Sequence, residues 1–378
     1  MAPPKRELAI ALSGGGARAA YQAGVLRCLA RHFPDVSFPL ITGVSAGAIN
    51  AAFLASRPGP LEESAEDLAE VWKSISPENI FRAGGFSLGG MALRWALSLI
   101  SGGSPAAPRV RGLLDTTPLY QLLRRTLADQ DGSISGIHRN LDNGRLRAVA
   151  ITAINYATGQ TVTWVQGSDI ETWERPNRRS EKTVITPLHV MASSALPLAF
   201  PAVKVGGSWF GDGGMRLATP LAPAVHLGAG RILAISTRYN RSFHEADQPE
   251  VTGYPPPAQI LGHLMRAIFL DALDQDALLL ERFNSLLTKL PPEKRDGLRP
   301  IDLVVLRPSI DLGKLAGDYE AKLPGVFRFM VRGLGTRETK SPDFLSLLMF
   351  EPNYIAKLIE MGERDAETRL DALSTLIG

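Results

Sequence analysis

The sequence predicts an α/β fold built around a mainly parallel sheet, and two successive strand–glycine–helix units are the observations that predict it. In the first unit, an apolar run at 7–13 leads through three glycines into a helical pattern at 17–33. In the second, the apolar run 38–45 passes through Ser45 into the alanine-rich segment 46–56. Parallel neighbours need a crossover connection, and each helix supplies one. We therefore expect both strands to be buried in one sheet.

The rest of the chain alternates strand and helix patterns, and it contains no internal repeat. An acidic amphipathic helix is predicted at about 60–78, and further strands are predicted at 231–237 and 301–309. The other predicted elements are a strand pair within 146–165, a helix from about 186, a short hairpin before Asp212, a long helix over 258–290 and a terminal helix over 352–376.

The chain is long enough, at 378 residues, for one large α/β domain with elaborations. We expect a catalytic core over 7–240, a lid or insertion at 80–145, and a mostly helical C-terminal extension over 241–378 that packs on the core. Residues 83–108 enclose an apolar segment between glycine-rich ends, which is typical of a lid and equally of a buried helix with flexible flanks.

Composition argues for a globular protein and against several other classes. Hydrophobic residues make up 45% of the chain and charged residues 21%, as in ordinary soluble domains. A net charge of +3 is too small to argue for nucleic-acid binding, so no nucleic-acid partner is expected. No stretch reaches the roughly 18 to 20 apolar residues that a membrane span needs. Any membrane contact is therefore expected to be peripheral.

Two local features bear on location. Between Arg82 and Arg147 there are nine arginines and four aspartates, a balance that suits either anionic lipid or a solvated rim. Residues 1–16 run directly into glycines without a cleavage-site pattern, so we predict a strand there and not a signal peptide. Cys28, the only cysteine, is expected to pack in a helix and fits a reducing compartment. We expect a cytoplasmic protein, peripheral to the inner membrane face.

Residues Gly43, Val44, Ser45, Ala46 and Gly47 fit the Gly-x-Ser-x-Gly nucleophile elbow. A strand that enters a helix through so tight a turn crowds its flanks, which explains the two glycines, and it lifts the serine oxygen clear of the sheet. The Ala46 amide and the helix N-terminus would then stabilise negative charge. The alternative is a structural one, because serine is also a favoured helix N-cap.

Three consecutive glycines, Gly14, Gly15 and Gly16, form a second loop between a predicted strand and a predicted helix. Glycines allow backbone amides to point inward at an anion, and Arg18 in the first helical turn could orient the loop or a ligand.

The same loop has an alternative as a dinucleotide-binding turn, because Gly14-x-Gly16 begins the Gly-x-Gly-x-x-Gly fingerprint. Ala19 occupies the last glycine position, which that fingerprint permits. The region some twenty residues further on offers only Asp35 as the acid that would bind a ribose.

A reactive serine needs a proton acceptor, and Asp212 is the preferred candidate. Gly213 and Gly214 follow it, so it can approach other backbone closely. The alternative for Asp212 is a simple turn aspartate. A triad of α/β-hydrolase order would need a later histidine as well, but that order places several strands before the elbow, where this chain has one. The histidines late enough for it are His226, His244 and His263.

Four motifs occur in order: "ALSGGGARAAYQAGVL", "GVSAGAINA", "ASSALPLAFP" and "GDGG". Together they resemble the patatin-like phospholipase family over roughly residues 7–237. The resemblance implies a three-layer αβα sandwich with helical elaborations, and a Ser45–Asp212 dyad that works without a metal or other cofactor. It also assigns the oxyanion hole to the amides of Gly14 to Gly16. Ala19 stands where the family commonly has glycine, a departure that bears on helix packing more than on catalysis.

The activity that this resemblance implies is hydrolysis of a phospholipid or another fatty-acyl ester through an acyl-enzyme. The expected class is a serine lipid acyl hydrolase of phospholipase A, lysophospholipase or carboxylesterase type. One alternative is an acyltransferase that passes the acyl group to an alcohol. A second is a non-catalytic membrane-binding or regulatory protein, against which the intact Ser45, Asp212 and glycine loop argue.

A lipid substrate must leave a bilayer or an aggregate, so apolar surface is expected near the mouth of the site. Three segments could supply it: 86–101, 257–283 and 323–335. In the last, Arg328 and Arg332 lie four residues apart among apolar side chains. This pattern fits an interfacial amphipathic helix and equally a core helix with two snorkelling arginines. The sequence leaves a homodimer open.

Overall fold

The computed structural model describes residues 6–82, 112–251, 253–333, 335–339 and 341–378. Ten described strands join in one sheet, whose main path runs β10-β9-β1-β2-β3-β4-β6-β5, with β7 and β8 attached beside it. The strands are β1 (Leu8–Leu12), β2 (Leu40–Val44), β3 (Ala148–Asn155), β4 (Thr161–Gly167), β5 (Glu174–Arg175), β6 (Arg178–Lys182), β7 (Val203–Val205), β8 (Ser208–Asp212), β9 (Arg231–Ile235) and β10 (Asp302–Leu306).

The centre of the sheet is parallel, as the strand–glycine–helix units predict. Strands β10, β9, β1, β2 and β3 all run in one direction, and every residue of β1 and β2 is buried. Side chains alternate between the two faces of a strand. Accordingly Leu8, Ile10 and Leu12 of β1 belong to one apolar core, and Ala9 and Ala11 belong to the other. The sheet is therefore covered on both faces, and the predicted αβα fold class is confirmed.

Helices supply the two outer layers. Those described are α1 (Ala20–His32), α2 (Ala46–Ser56), α3 (Leu61–Lys73), α4 (Pro77–Ile80), α5 (Thr117–Leu127), α6 (Ser135–Asp142), α7 (Pro187–Ser193), α8 (Ala222–His226), α9 (Phe243–Ala246), α10 (Pro257–Phe269), α11 (Ala272–Lys289), α12 (Leu312–Tyr319), α13 (Gly325–Gly333), α14 (Asp343–Leu347), α15 (Pro352–Glu367) and α16 (Leu370–Ile377). None of the described helices is long and apolar enough to cross a membrane.

Residues after 240 are joined closely to the sheet and to its first helix. Strand β10 pairs with β9 in parallel along its whole length. On one face, Tyr354 and Leu358 of α15 lie in the same buried core as Tyr21 and Leu26 of α1. The C-terminal part of the chain thus contributes both a strand and a covering helix to the region that contains Gly14 to Gly16 and the turn at Ser45.

Several helix boundaries differ from the prediction. The helix predicted over 258–290 is two helices, α10 and α11, although no proline or glycine marks the break. At the break Asp271 pairs with Arg238, which lies shortly after β9, so a tertiary contact accompanies the interruption. Helices α5 and α6 had no counterpart in the prediction. The segment 86–101, one of those considered for membrane contact, lies outside the described residues.

The sheet register brings the end of β8 beside the end of β2. Strand β3 pairs with β2 up to Thr152, which lies opposite Val44. The next residue of β3, Ala153, pairs instead with Asp212 at the end of the antiparallel strand β8. Consequently the residue that follows Val44 emerges next to Asp212.

Candidate active site

Ser45 occupies a strained turn between β2 and α2. Its φ and ψ are 55° and −132°, and a positive φ is uncommon for a residue other than glycine. The turn is so tight that a Cβ on Gly43 would overlap the carbonyl of Gly47. Within the described residues, the Ser45 side chain makes no capping hydrogen bond to α2. The geometry is therefore that of a nucleophile elbow rather than of a serine cap.

Two buried serines of the "ASSALPLAFP" stretch hold this turn. Ser193 Oγ accepts a hydrogen bond from the Ser45 amide at 3.0 Å and donates one to the Thr152 carbonyl at 2.6 Å. Ser194 Oγ donates to the Ser45 carbonyl at 2.9 Å. A strained backbone conformation persists only where its surroundings fix it, and these contacts do so. The motif is visible in the sequence, but no role for these two serines was predicted from it.

Asp212 is the hydrogen-bond partner of the Ser45 side chain. Ser45 Oγ donates to Asp212 Oδ2 at 2.6 Å, and the Gly214 amide donates to Oδ1 at 2.9 Å. Asp212 is completely buried. Gly213 begins a short 3₁₀ turn at the same place and packs against the Thr152 carbonyl. One carboxylate oxygen thus faces the serine while the other is fixed by the backbone.

Burial raises the pKa of Asp212 to about 7, although the hydrogen bonds from Ser45 and Gly214 act in the opposite direction. A carboxylate without a nearby cation loses hydration when it is buried, and this disfavours its charged form. A base with a pKa near neutrality accepts a proton more readily than an ordinary aspartate and is still deprotonated in much of the population at pH 7. Asp212 therefore has the position and the raised pKa expected of a proton acceptor for Ser45.

The histidines considered for a triad lie elsewhere. His226 stacks on Trp173 with ring centroids 4.6 Å apart, His244 contacts Gln248 just after its own helix, and His263 contacts Gln259 on α10. In the part of the chain that the structure describes, no histidine is hydrogen-bonded to Ser45 or Asp212. Of the candidate proton acceptors, the structure brings Asp212 to Ser45.

The glycine loop passes directly beside Ser45. A Cβ on Gly14 would lie 2.8 Å from the Ser45 Cβ. Gly15 and Gly16 have φ values of 142° and 55°, and a Cβ on Gly16 would overlap the Leu347 carbonyl. Among the described residues, no protein group accepts a hydrogen bond from the amides of Gly14, Gly15 or Gly16. These amides remain available to an anion near Ser45.

Two contacts anchor the loop. Thr237 Oγ1 donates to the Gly14 carbonyl at 2.5 Å. Arg18, predicted to orient the loop or a ligand, is buried in the 3₁₀ turn Gly16–Ala19 and directs its guanidinium to Asp343 and Ser346. Thr237, Asp343 and Ser346 were not among the candidates drawn from the sequence.

The dinucleotide alternative does not fit the placement of Asp35. This residue borders a surface cleft with Glu7 and Leu8, at the amino-terminal ends of the parallel strands. The glycine loop lies at their carboxyl-terminal ends, after Leu12. The acid that would bind a ribose is thus on the opposite edge of the sheet from the loop that would bind phosphate.

An apolar pocket lies beside Ser45 and Ala46. Its walls come mainly from α2, α3, α5 and the segment 347–350. The lining side chains include Ile49, Phe53, Leu68, Val71, Trp72, Ile75, Leu119, Leu123, Leu127, Leu196, Phe200, Phe269, Leu347, Leu348 and Phe350. A hydrocarbon chain suits such a lining. The apolar face of α3 was visible in the sequence, but nothing there connected it with the serine.

One group of three potential metal ligands occurs among the described residues. Side-chain atoms of Cys28, His32 and Glu367 lie within 4.8 Å of one another. The two α1 residues are near its carboxyl-terminal end, whereas the glycine loop precedes its first turn. This group is therefore separate from the Ser45 site.

Comparison with known proteins gives one family match. The family model described as patatin-like phospholipase matches residues 10–225. No curated protein matches the chain by sequence.

Solved structures with a similar course of the chain include VipD from Legionella pneumophila, at 12% identity and a TM-score of 0.38, over 98% of this chain and 67% of VipD. Human GIVD cytosolic phospholipase A2 in complex with methyl gamma-linolenyl fluorophosphonate is also similar, at 13% identity and a TM-score of 0.44. That match covers 98% of this chain and 59% of the human one, so the chain spans about three fifths of the human protein's length.

Proposed function

Since the chain belongs to the patatin-like phospholipase family, whose model matches more than half of it, we propose that it is a serine lipid acyl hydrolase. Its substrate is a phospholipid or another fatty-acyl ester. The observation that carries the proposal is the 2.6 Å hydrogen bond to the buried Asp212 from Oγ of Ser45, a residue that lines an apolar pocket.

The first stage is acylation of Ser45. Deprotonated Asp212 accepts the serine proton as Oγ attacks the ester carbonyl, and the resulting oxyanion takes hydrogen bonds from the glycine-loop amides. Donors aimed at the developing charge stabilise the transition state more than the ground state. The tetrahedral intermediate then expels the alcohol, which takes the proton from Asp212, and an acyl ester remains on Ser45.

The second stage is hydrolysis of that ester. Water gives a proton to Asp212 as its oxygen attacks the acyl carbonyl, and the same amides again hold the oxyanion. Collapse of the intermediate releases the fatty acid and returns the proton to Ser45 Oγ. A single base therefore serves both stages, which a dyad requires.

The apolar cavity receives the acyl chain. Each methylene moved from water into such a cavity contributes about 0.8 kcal/mol. Long-chain esters are therefore expected to have lower KM values than acetyl or butyryl esters. The side chains of α2, α3, α5 and 347–350 that line the pocket would contact the chain.

Labelling with a fluorophosphonate tests the proposal. The reagent phosphonylates an activated serine, so digestion and mass spectrometry should locate the adduct on Ser45. The Ser45→Ala variant, which keeps the other serines, should not react. A wild-type protein that fails to react, or that carries the adduct elsewhere, would falsify the assignment.

Helix α13 is the part of 323–335 that we propose rests on the lipid surface. Phe327 and Val331 point into the core, whereas Phe329 is 80% exposed. Phe329→Asp should weaken binding to anionic vesicles several-fold, because an aspartate resists burial at the membrane interface. Hydrolysis of a soluble short-chain ester should be unchanged. Leu286→Asp, on an exposed position of α11, is the control. Equal weakening by both variants would contradict a specific role for α13.

A further inference from the structure

The segment 341–350 lies outside the residues that match the family model, yet it forms one wall of the candidate site. Leu347, Leu348 and Phe350 line the apolar cavity beside Ser45. The carbonyl of Leu347 also packs directly on Gly16, where a Cβ would overlap it. The segment therefore touches both the space for the acyl chain and the loop proposed to bind the oxyanion.

A buried ion pair adds a second connection between this segment and the loop. An Arg18 terminal nitrogen lies 2.5 Å from Asp343 Oδ1, and Arg18 Nε donates to Ser346 Oγ at 2.6 Å. The side chains of Arg18 and Asp343 are 3% and 7% exposed. In so dry a setting a guanidinium and a carboxylate fix each other's position, and loss of one leaves the other uncompensated.

Asp343 stays charged in this setting. Burial acts to raise the pKa of Asp343, but the guanidinium groups of Arg18 and Arg266 outweigh it and hold that pKa below its usual value. The two oxygens are divided between them, since Oδ1 faces Arg18 and Oδ2 accepts from Arg266 of α10. The carboxylate thus joins the glycine loop to α10 through α14.

Arg18 connects the ion pair with Asp343 to the glycine loop, and only a few residues lie between them. It lies two residues after Gly16, within the same 3₁₀ turn, and its amide donates to the Gly15 carbonyl at 3.1 Å. A displaced guanidinium would move the turn that sets the direction of the neighbouring amides. Because those amides must meet an oxyanion at hydrogen-bond distance, a small displacement weakens the interaction.

We propose that Asp343 is a positioning residue, which holds the amides of Gly14 to Gly16 in their oxyanion-binding arrangement through Arg18. The proposal rests on the proposed function, since it concerns the same site. It places part of the active site in a segment more than 300 residues along the chain from the loop that it positions.

The test is Asp343→Asn, assayed on a soluble short-chain ester. We expect kcat to fall roughly 10- to 100-fold, which is no more than the fall in kcat expected when one oxyanion donor is removed. KM should change less than twofold, because the cavity walls remain. The pH midpoint of the rate should not move, since Asp212 is untouched. Asp343→Glu, which keeps the charge, should recover part of the lost kcat.

Glu320→Gln is the matched control. Glu320 is likewise a buried carboxylate of the C-terminal region, bonded to Arg332 and Thr336, but it does not contact the glycine loop. It should lower Tm to an extent comparable with Asp343→Asn while leaving kcat unchanged. If both variants reduce kcat in step with Tm, Asp343 has only a structural role and the proposal is wrong.

A milder variant covers the case in which Asp343→Asn does not fold. Ser346→Ala removes only the hydroxyl beside Arg18 and should reduce kcat about threefold to tenfold at unchanged KM, on the scale of one lost hydrogen bond. In an Arg18→Gln background it should have no further effect, because its route is gone. A wild-type kcat in Ser346→Ala would overturn the proposal, and so would the same threefold to tenfold loss when Ser346→Ala is added to Arg18→Gln.

The outcome is distinguishable from failure of the proposed function. Each variant is also titrated with the fluorophosphonate. If wild-type protein does not react at Ser45, the proposed function itself fails. If it reacts, and the Asp343 variants that fold react and turn over at the wild-type rate, only the positioning role of Asp343 fails.

Discussion

The serine turn and the glycine loop are built alike but held differently. Each follows a buried strand of the parallel sheet and leads into a helix, and the two strands are neighbours. The serine turn takes its contacts from Ser193, Ser194 and Asp212. The glycine loop depends on Thr237 and on α14, through Arg18.

This difference separates the two catalytic components along the chain. The described side chains that are hydrogen-bonded to the proposed nucleophile, Ser193, Ser194 and Asp212, all lie within the residues that match the family model, 10–225. The side chains that anchor the proposed oxyanion loop directly or through Arg18, those of Thr237, Asp343 and Ser346, lie beyond residue 225. The proposed nucleophile is thus held within the matched residues, whereas under our proposal the precision of oxyanion binding would depend on the C-terminal region. The effects of variants at the serine turn should therefore depend on residues within 10–225, and those of variants at the glycine loop should depend on the C-terminal region.

The largest effect is expected from Asp212→Asn in the serine turn. Loss of a general base should reduce kcat by about 10²- to 10⁴-fold. The same variant should be more stable than the wild-type protein at pH 8. The raised pKa of Asp212 means that the folded state resists its ionisation, so stability falls as pH rises from about 4 to about 7 and stays lower above that range.

Thermal unfolding at pH 8 and pH 4.5 measures this. The gain in free energy of unfolding at pH 8 should reach up to about 4 kcal/mol, at about 1.4 kcal/mol for each pKa unit, and it should be much smaller at pH 4.5. Substantial turnover by the folded variant would show that another group is the base.

The pH dependence of the wild-type enzyme comes next in size. Since Asp212 acts in its deprotonated form, kcat/KM should rise with pH to a plateau above a midpoint of about 7. Two units below the midpoint about 1% of the base is ionised, so the rate should be about 100-fold lower. Initial rates on a soluble ester between pH 4.5 and 9 check this. A plateau that extends down to pH 5 would contradict the proposed state of Asp212.

Gly16→Ala, in the glycine loop, should reduce kcat less than Asp212→Asn does. Its φ of 55° and the Leu347 carbonyl leave no room for a Cβ, so the loop must shift. We expect a loss of kcat of roughly 10- to 100-fold from misplaced amides. Gly206→Ala is the control, because Gly206 has a φ of 56° with open space around it. It should lower Tm without changing kcat; a similar kcat in both variants would count against a role for the loop.

The smallest effects, and the sharpest comparison, are expected from two buried hydroxyl groups, one of which anchors each turn. Ser193→Ala and Thr237→Val each remove a backbone anchor and should lower kcat about threefold to tenfold, on the scale of one hydrogen bond. Combined with Asp343→Asn, the Thr237 variant should be non-additive and the Ser193 variant additive. Kinetics of the two double variants decide this, and equal coupling would show that the turns are not held independently.

Sequence reasoning found the parts of the site that have local signals. Ser45 and the three glycines lie where a strand passes into a helix, and the structure confirms those elements. It also places Asp212 against Ser45, although the catalytic roles of both stay predictions. The four motifs could be recognised because each is continuous in the chain.

Contacts between distant segments had no such signal. Arg18 was singled out, but its partner Asp343 lies 325 residues later in a stretch without a motif. The cavity was missed for the same reason, since Trp72 and Leu123 are ordinary apolar positions of amphipathic helices until the fold brings them together. The split of the predicted 258–290 helix likewise has no proline or glycine to announce it.

The way β8 joins the sheet has a consequence for how the dyad moves. Asp212 is paired to β3 at Ala153, and Ser45 is bonded through Ser193 to β3 at Thr152. The backbones of both residues are therefore tied, directly or through Ser193, to two adjacent residues of one central strand. We therefore expect serine and aspartate to move together if the sheet bends, so that their separation persists. Amide hydrogen exchange at 152–153 should accordingly be among the slowest in the protein, even when lipid is bound.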